Sequence, residues 1–171
     1  GDTERDLFLG TAVDTTAAIM ARYFDEPQPL VLADLLGRAR TELGASAPAM
    51  PGAAALLSRL RGRLPFAVAS NTPRDLLELS LAGSGLAPLV SVVVAGDEVP
   101  CPKPAPDVYL KACALLGAEP SQAMAIEDSR TGAAAARAAD LWVAMIPSGP
   151  SEPGDADVFL TGLDDPRLLT W

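Results

Sequence analysis

Three short stretches of the sequence carry side chains that could act together: Ser70-Asn71-Thr72, Lys103 between Pro102 and Pro104, and Glu127-Asp128-Ser129. A hydroxyl backed by the N–H groups at a helix start can hold phosphate oxygens. Lysine adds a point charge to the same group. Adjacent carboxylates suit a hard cation such as Mg²⁺, which takes one or two of them and keeps water and phosphate oxygens as its other ligands. Together these parts make a phosphoryl-transfer site lacking only its nucleophile. Each piece alone is commonplace: Ser-Asn is a frequent turn and cap, a proline-flanked lysine is often a solvated charge, and Glu-Asp before a helix often offsets its dipole. Their order and their placement at strand ends give them meaning.

Composition narrows the chemistry further. The chain has no histidine, which removes Ser-His and Cys-His triads, histidine-ligated zinc and imidazole acid–base catalysis. With 13 Lys and Arg against 22 Asp and Glu, the net charge is −9. That field repels phosphate backbones and anionic lipid, so neither nucleic acid nor a membrane is expected as a partner. An anionic ligand therefore needs local cations or a metal. The two cysteines, Cys101 and Cys113, fit a reduced cytosolic protein better than a disulfide framework. No apolar run approaches the roughly 20 residues of a membrane span, and Gly1-Asp2-Thr3-Glu4 opens too acidic for a signal peptide. A soluble, cytoplasmic protein is expected.

The elements that must position these residues follow from the hydrophobic pattern. A break near Pro48–Gly52 divides the 171 residues into 1–48 and 49–171. Ahead of it, Asp14 or Thr15 is expected to cap a helix through about Phe24, and a second helix runs from about Pro29 to Leu43. Two short helices without a sheet bury little and read as an appendage. After the break, strands alternate with helices: strand 66–69, helix 73–82, strand 90–95, helix 105–116, strand 123–126, helix 131–139, strand 141–146, and a short fifth strand at 158–160. Continuous apolar strands separated by helices of about ten residues indicate a parallel sheet covered on both faces. Ligands of such sheets bind beyond the carboxyl ends of the strands. Ser70, Lys103 and Glu127-Asp128 are delivered to that edge by three successive crossovers.

Ser70-Asn71, then Lys103-Pro104-Ala105-Pro106-Asp107-Val108-Tyr109, then Ile126-Glu127-Asp128-Ser129 with Gly132 resemble motifs II, III and IV of the haloacid dehalogenase-like hydrolase superfamily. The two leading helices resemble its helical cap of the first type, so the resemblance covers essentially the whole chain. It implies an α/β, Rossmann-like parallel sheet with helices on both faces and a small cap, 1–48 being a partial cap and 49–171 the core. It also implies that Ser70 and Asn71 bind the transferring phosphoryl group and that Lys103 steadies that group and the nucleophile. Asp128 would ligate Mg²⁺, with Glu127 a direct or water-mediated partner.

Two features depart from the family pattern. Its members begin with a central strand ending in Asp-x-Asp-Gly-Thr, whose first Asp attacks phosphorus and whose second acts as general acid/base. No such segment precedes the cap here. Asp155-Ala156-Asp157 precedes its apolar run instead of following one, and Asp164-Asp165 fits no better. The sequence is thus expected to be a segment of a longer protein, its sheet open where that strand belongs, poorly stable and inactive as written. The second departure is Pro102, which stands where the family usually has Gly, and which removes a backbone donor beside Lys103.

The acidic pair favours phosphorus over carbon–halogen chemistry. An Mg²⁺-dependent phosphomonoester hydrolase acting through an aspartyl-phosphate on a small phosphorylated metabolite is the first reading, as a monomer or homodimer. Thr11, Arg22 and Arg38 are candidate cap contacts with substrate. A β-phosphoglucomutase-like mutase is the alternative, although Gly10-Thr11-Ala12-Val13 lacks the Arg that such enzymes place in the first cap loop. A nucleophile-less binding module is a further one. A phospho-acceptor receiver domain fits less well, because its acidic pair follows the first strand.

Overall fold

The computed structural model describes residues 12–147 and 156–169. Among them no helix is long and apolar enough to cross a membrane. Helix α1 (Val13–Phe24) starts without a side-chain cap: Ala12 occupies the capping position, and Asp14 lies in the first turn. The expected cap at Asp14 or Thr15 is therefore displaced, and Asp14 acts on the helix dipole instead. Asp25 ends α1 in a left-handed conformation, and Pro27 starts α2 (Gln28–Ala45). Helix α2 buries none of its own residues fully, yet it packs along α1 and along α4 (Arg74–Gly83). Arg40 of α2 pairs with Asp75 of α4 at 2.6 Å.

Helix α3 (Ala53–Leu60) was not foreseen from the sequence. It supplies the buried Leu56 to the core, and its eight residues follow the Pro51-Gly52 break too closely for a distinct periodicity to stand out. The parallel strands then follow as expected: β1 (Val68–Ala69), β2 (Val93–Val94), β3 (Met124–Glu127), β4 (Trp142–Met145) and β5 (Val158–Phe159), with α4, α5 (Asp107–Leu116) and α6 (Arg130–Ala138) as crossovers. Strand β2 is shorter than the apolar run that predicts it. Leu89 and Val90 donate their N–H groups to Leu86 and Ala87 in a 3₁₀ turn, so pairing begins only beyond them.

Both faces of the sheet are covered. Val94, Ala125 and Val143 meet Val108, Ala112 and Cys113 of α5 and Ala133 and Ala136 of α6. The small side chains of α6 let its axis approach the strands closely. On the opposite face, Met124, Ile126, Trp142 and Ala144 meet Leu56 and Leu60 of α3, while Val68 and Val93 meet Leu77 and Leu81 of α4. The strands form two sheets, β1-β2 and β3-β4-β5, with no ladder between β1 and β3 among the described residues. Among the described residues, each of those two strands pairs with a neighbour along one edge. Residues of both strands line a common cavity at their carboxyl ends.

Candidate active site

Strand β1 delivers Ser70 at its carboxyl end, and the turn that follows is built around its hydroxyl. Ser70 Oγ donates to Thr72 Oγ1 at 3.0 Å and accepts the Thr72 N–H at 3.1 Å. The turn rests on Gly96, where a Cβ would collide with the Asn71 main chain. Asn71 reaches across to the loop after β2: its Nδ2 donates to Lys103 O at 3.0 Å, and its Oδ1 accepts the Lys103 N–H at 2.7 Å. The Asn71 side chain thus clamps the Lys103 peptide. Lys103 is only 8% exposed despite the prolines on either side.

The Lys103 ammonium has three acceptors, matching its three protons. It donates to Ala69 O at 3.0 Å, to Tyr109 Oη at 3.1 Å and to Glu127 Oε1. It also lies 4.6 Å from the centre of the Tyr109 ring. The Tyr109 hydroxyl in turn donates to Glu127 Oε1. Burial, and then the Glu127 charge, push this phenol well above its ordinary pKa, so it stays a donor. On the other side of Glu127, Ser129 Oγ donates to Oε2 at 3.4 Å and accepts the Gly132 N–H at 3.1 Å, capping α6. Gly132 is the seat of the carboxylate: a Cβ there would overlap it.

Ser70, Asn71, Lys103, Glu127 and Asp128 line one cavity of about 390 Å³, bounded by Val68 and Ala69 of β1 and by Ile126 of β3. A larger hollow of about 460 Å³ opens at the other end of β1, with Arg61 and Arg63 but no acid in its wall. It lies at the amino ends of β1 and β2, away from the edge where an open α/β sheet presents its chemistry.

The charge balance of the cavity is informative. Glu127 answers the Lys103 charge, and Asp128 adds an anion beside it. Partial burial, and then Glu127, raise the Asp128 pKa above the usual carboxylate value, although its side chain is exposed toward the cavity mouth. A phosphate dianion would meet net negative charge, which a hard divalent cation relieves. Asp128 presents a carboxylate to the cavity, while Glu127 is engaged by Lys103 and Tyr109. Among the described residues no group of three or more His, Cys, Asp and Glu could hold a metal.

Other candidates lie elsewhere. Arg22 is exposed on the last turn of α1, and Arg38 pairs with Asp34 at 2.8 Å on the surface of α2. Thr11 and Asp155 fall outside the described residues. Asp157 accepts the Val143 N–H at 2.7 Å and so serves the start of β5. Asp165 caps the last turn through Thr161 and Arg167. Glu98 forks with Arg74 at 2.6 and 2.7 Å and accepts the Ala95 N–H, joining α4 to β2.

The profile of the haloacid dehalogenase-like hydrolase family matches residues 3–140. The chain belongs to that family. Among curated haloacid dehalogenase-like relatives, it is 44% identical over 103 residues to Protein CbbY of Rhodobacter capsulatus, covering 58% of this chain and 45% of that one. It is 33% identical over 163 residues to validoxylamine A 7'-phosphate phosphatase of Streptomyces hygroscopicus subsp. limoneus, covering 94% of this chain and 70% of that one. The chain thus spans under half the length of that CbbY. In three dimensions it is similar to CbbY from Rhodobacter sphaeroides in complex with phosphate, with a TM-score of 0.80 and 28% identity over 96% of this chain and 79% of the other.

Tyr109 and Ser129 belong to motif stretches legible in the sequence, but their part in holding Glu127 was not. The available signal was Tyr109 in the first turn of a helix directly after a lysine loop, where an aromatic hydroxyl can fold back on the buried ammonium.

Proposed function

We propose that this chain supplies the phosphoryl-binding and cation-binding part of an Mg²⁺-dependent phosphomonoester hydrolase acting on a small phosphorylated metabolite. One observation carries the reading: Ser70, Lys103, Glu127 and Asp128 line a single cavity at the carboxyl ends of β1 and β3. In this reading Ser70, with the amides of its turn, holds phosphoryl oxygens, and Asn71 contributes by fixing Lys103. Lys103 balances charge developing on the transferred group. Asp128 would hold Mg²⁺, with Glu127 reaching it through water. The ion would neutralise phosphoryl charge while the group moves.

The nucleophile in this proposal is an Asp at the end of a strand seated between β1 and β3. A parallel strand in that opening would satisfy the two open edges and join the two sheets into one. Running parallel to β1 and β3, it would emerge beside Ser70 and Asp128, since residues at the carboxyl ends of those two strands line the same cavity. The Asp oxygen would attack phosphorus as the bond to the ester oxygen breaks, and the second Asp of an Asp-x-Asp pair would give that oxygen the proton with which it leaves as the alcohol. Water would then release phosphate from the aspartyl-phosphate. Residues 1–48 would act as a cap that chooses the ester, the remainder as the catalytic core.

The test is phosphate release by protein expressed from its complete reading frame, over sugar phosphates, phosphoglycolate and nucleotides, with Mg²⁺ and with EDTA. Release that needs Mg²⁺ is expected. Turnover that survives the chelator would remove the cation from the account, and no release from any ester would end the hydrolase reading.

A further inference from the structure

We propose that Tyr109 is a positioning residue of this site, its buried hydroxyl fixing the Lys103 ammonium against the cavity. The inference rests on the hydrolase reading for its effect on rate, but its structural half does not. Tyr109 is 7% exposed and belongs to the buried cluster that includes Val94 and Ala125 of the sheet and Ala112 and Cys113 of its own helix. The ring cannot swing without disturbing that packing. Its hydroxyl therefore sits at a fixed point, accepting from Lys103 Nζ at 3.1 Å and donating to Glu127 Oε1.

Lysine is a poor positioner by itself, with four rotatable bonds and a point charge. Here its peptide is clamped by Asn71 and its charged end by Ala69 O, Tyr109 and Glu127. Of those three acceptors, Glu127 ends a flexible side chain that itself needs Tyr109 and Ser129 to stay in place. Ala69 O lies on the open edge of β1, the edge turned toward the cavity. Only the Tyr109 hydroxyl is both rigid and independent of what enters the cavity. Without it the ammonium keeps its ion pair but loses the contact that fixes the direction of the pair. The charge then samples positions from which it stabilises the transferred group less well.

Tyr109→Phe removes the hydroxyl and keeps the ring, so it isolates this contact. ¹⁵N-lysine labelling reads the ammonium groups, and of Lys103 and Lys111 in this sequence only Lys103 is buried. On the full-length protein, the wild type should show a slowly exchanging Lys103 ammonium signal, assigned by its loss in Lys103→Arg. In Tyr109→Phe that signal should shift or be lost to exchange, kcat should fall about tenfold, and KM should stay within about twofold. Val108→Ala, at a fully buried position on the same helix that is not among the residues lining the cavity, should lower the melting temperature and leave both the signal and kcat in place. An unmoved Lys103 signal, an unchanged kcat in Tyr109→Phe, or an equal loss of kcat in Val108→Ala overturns the proposal. If the wild type turns over no ester, the hydrolase reading fails by itself, and the ammonium signal still decides whether Tyr109 holds Lys103.

Discussion

Gly132→Ala should destabilise this protein, against the direction that helix propensity gives. Gly132 lies in the first turn of α6, where alanine is ordinarily better than glycine by about 1 kcal/mol. Its missing Cβ, however, is the space in which the Glu127 carboxylate lies. That carboxylate ends a flexible side chain, so a methyl there would cost little if it could turn away freely. It cannot, because Glu127 is 8% exposed and its Oε1 is held by Lys103 and Tyr109. Displacing it breaks a buried ion pair, a loss of about 3–5 kcal/mol. Offset by the helix gain, the net destabilisation should be about 2–4 kcal/mol. Gly37→Ala on α2, where nothing lies within 4 Å of the added atom, should instead stabilise by about 0.5–1 kcal/mol. Urea unfolding of both variants reads the difference as a shift of midpoint at constant slope. In a Glu127→Ala background the Gly132 substitution should lose most of its cost. A Gly132→Ala protein as stable as the wild type would refute the placement of Glu127 and the ion pair built on it.

Asp128→Asn should lower phosphate release at least about 100-fold while leaving the metal-free unfolding midpoint unchanged or higher, because the fold disfavours this charge. Kinetics and urea melts in EDTA check both halves, and a lower metal-free midpoint would contradict the second. Asn71→Ala should cut kcat about tenfold and cost about 1–3 kcal/mol, since both bonds that clamp the Lys103 peptide go; unchanged kinetics would show that the clamp does not matter. Stability should fall on acidification. Glu98 is lowered by the Ala95 N–H and Arg74, and Asp165 by Arg167 and its backbone donors, so the unfolded chain takes up protons first. Their stabilisation is fully present above about pH 5 and is lost as pH falls toward their folded values. Asp128, raised by burial and Glu127, works in the opposite sense. Unfolding midpoints from pH 7 to pH 3 that stay level would contradict this balance.

The sequence carried the parallel arrangement because buried strands and amphipathic crossovers differ in period, and Val94, Ala125, Val143 and Ala144 left runs too apolar for anything but a covered sheet. It carried the placement of Ser70, Lys103 and Asp128 because strand ends in such sheets face one way. It did not carry α3, whose eight residues are too few for a periodic signal after a Pro-Gly break. Nor did it distinguish what Asn71 touches: an amide that clamps a neighbouring peptide and one that meets phosphate look alike in one dimension. The partnership of Tyr109 with Glu127 spans 18 residues and depends on how α5 rotates against β3, which only packing decides.

In the proposed enzyme the phosphoryl group is received at the carboxyl-end mouth of one cavity, where Ser70, Lys103 and Asp128 meet. Crystals of the full-length protein soaked in tungstate, a heavy phosphate mimic, test this most directly. The anomalous peak should lie within hydrogen-bond reach of the Ser70 turn and beside the Lys103 ammonium, close to Asp128. A peak confined to the hollow beside Arg61 and Arg63 would contradict it.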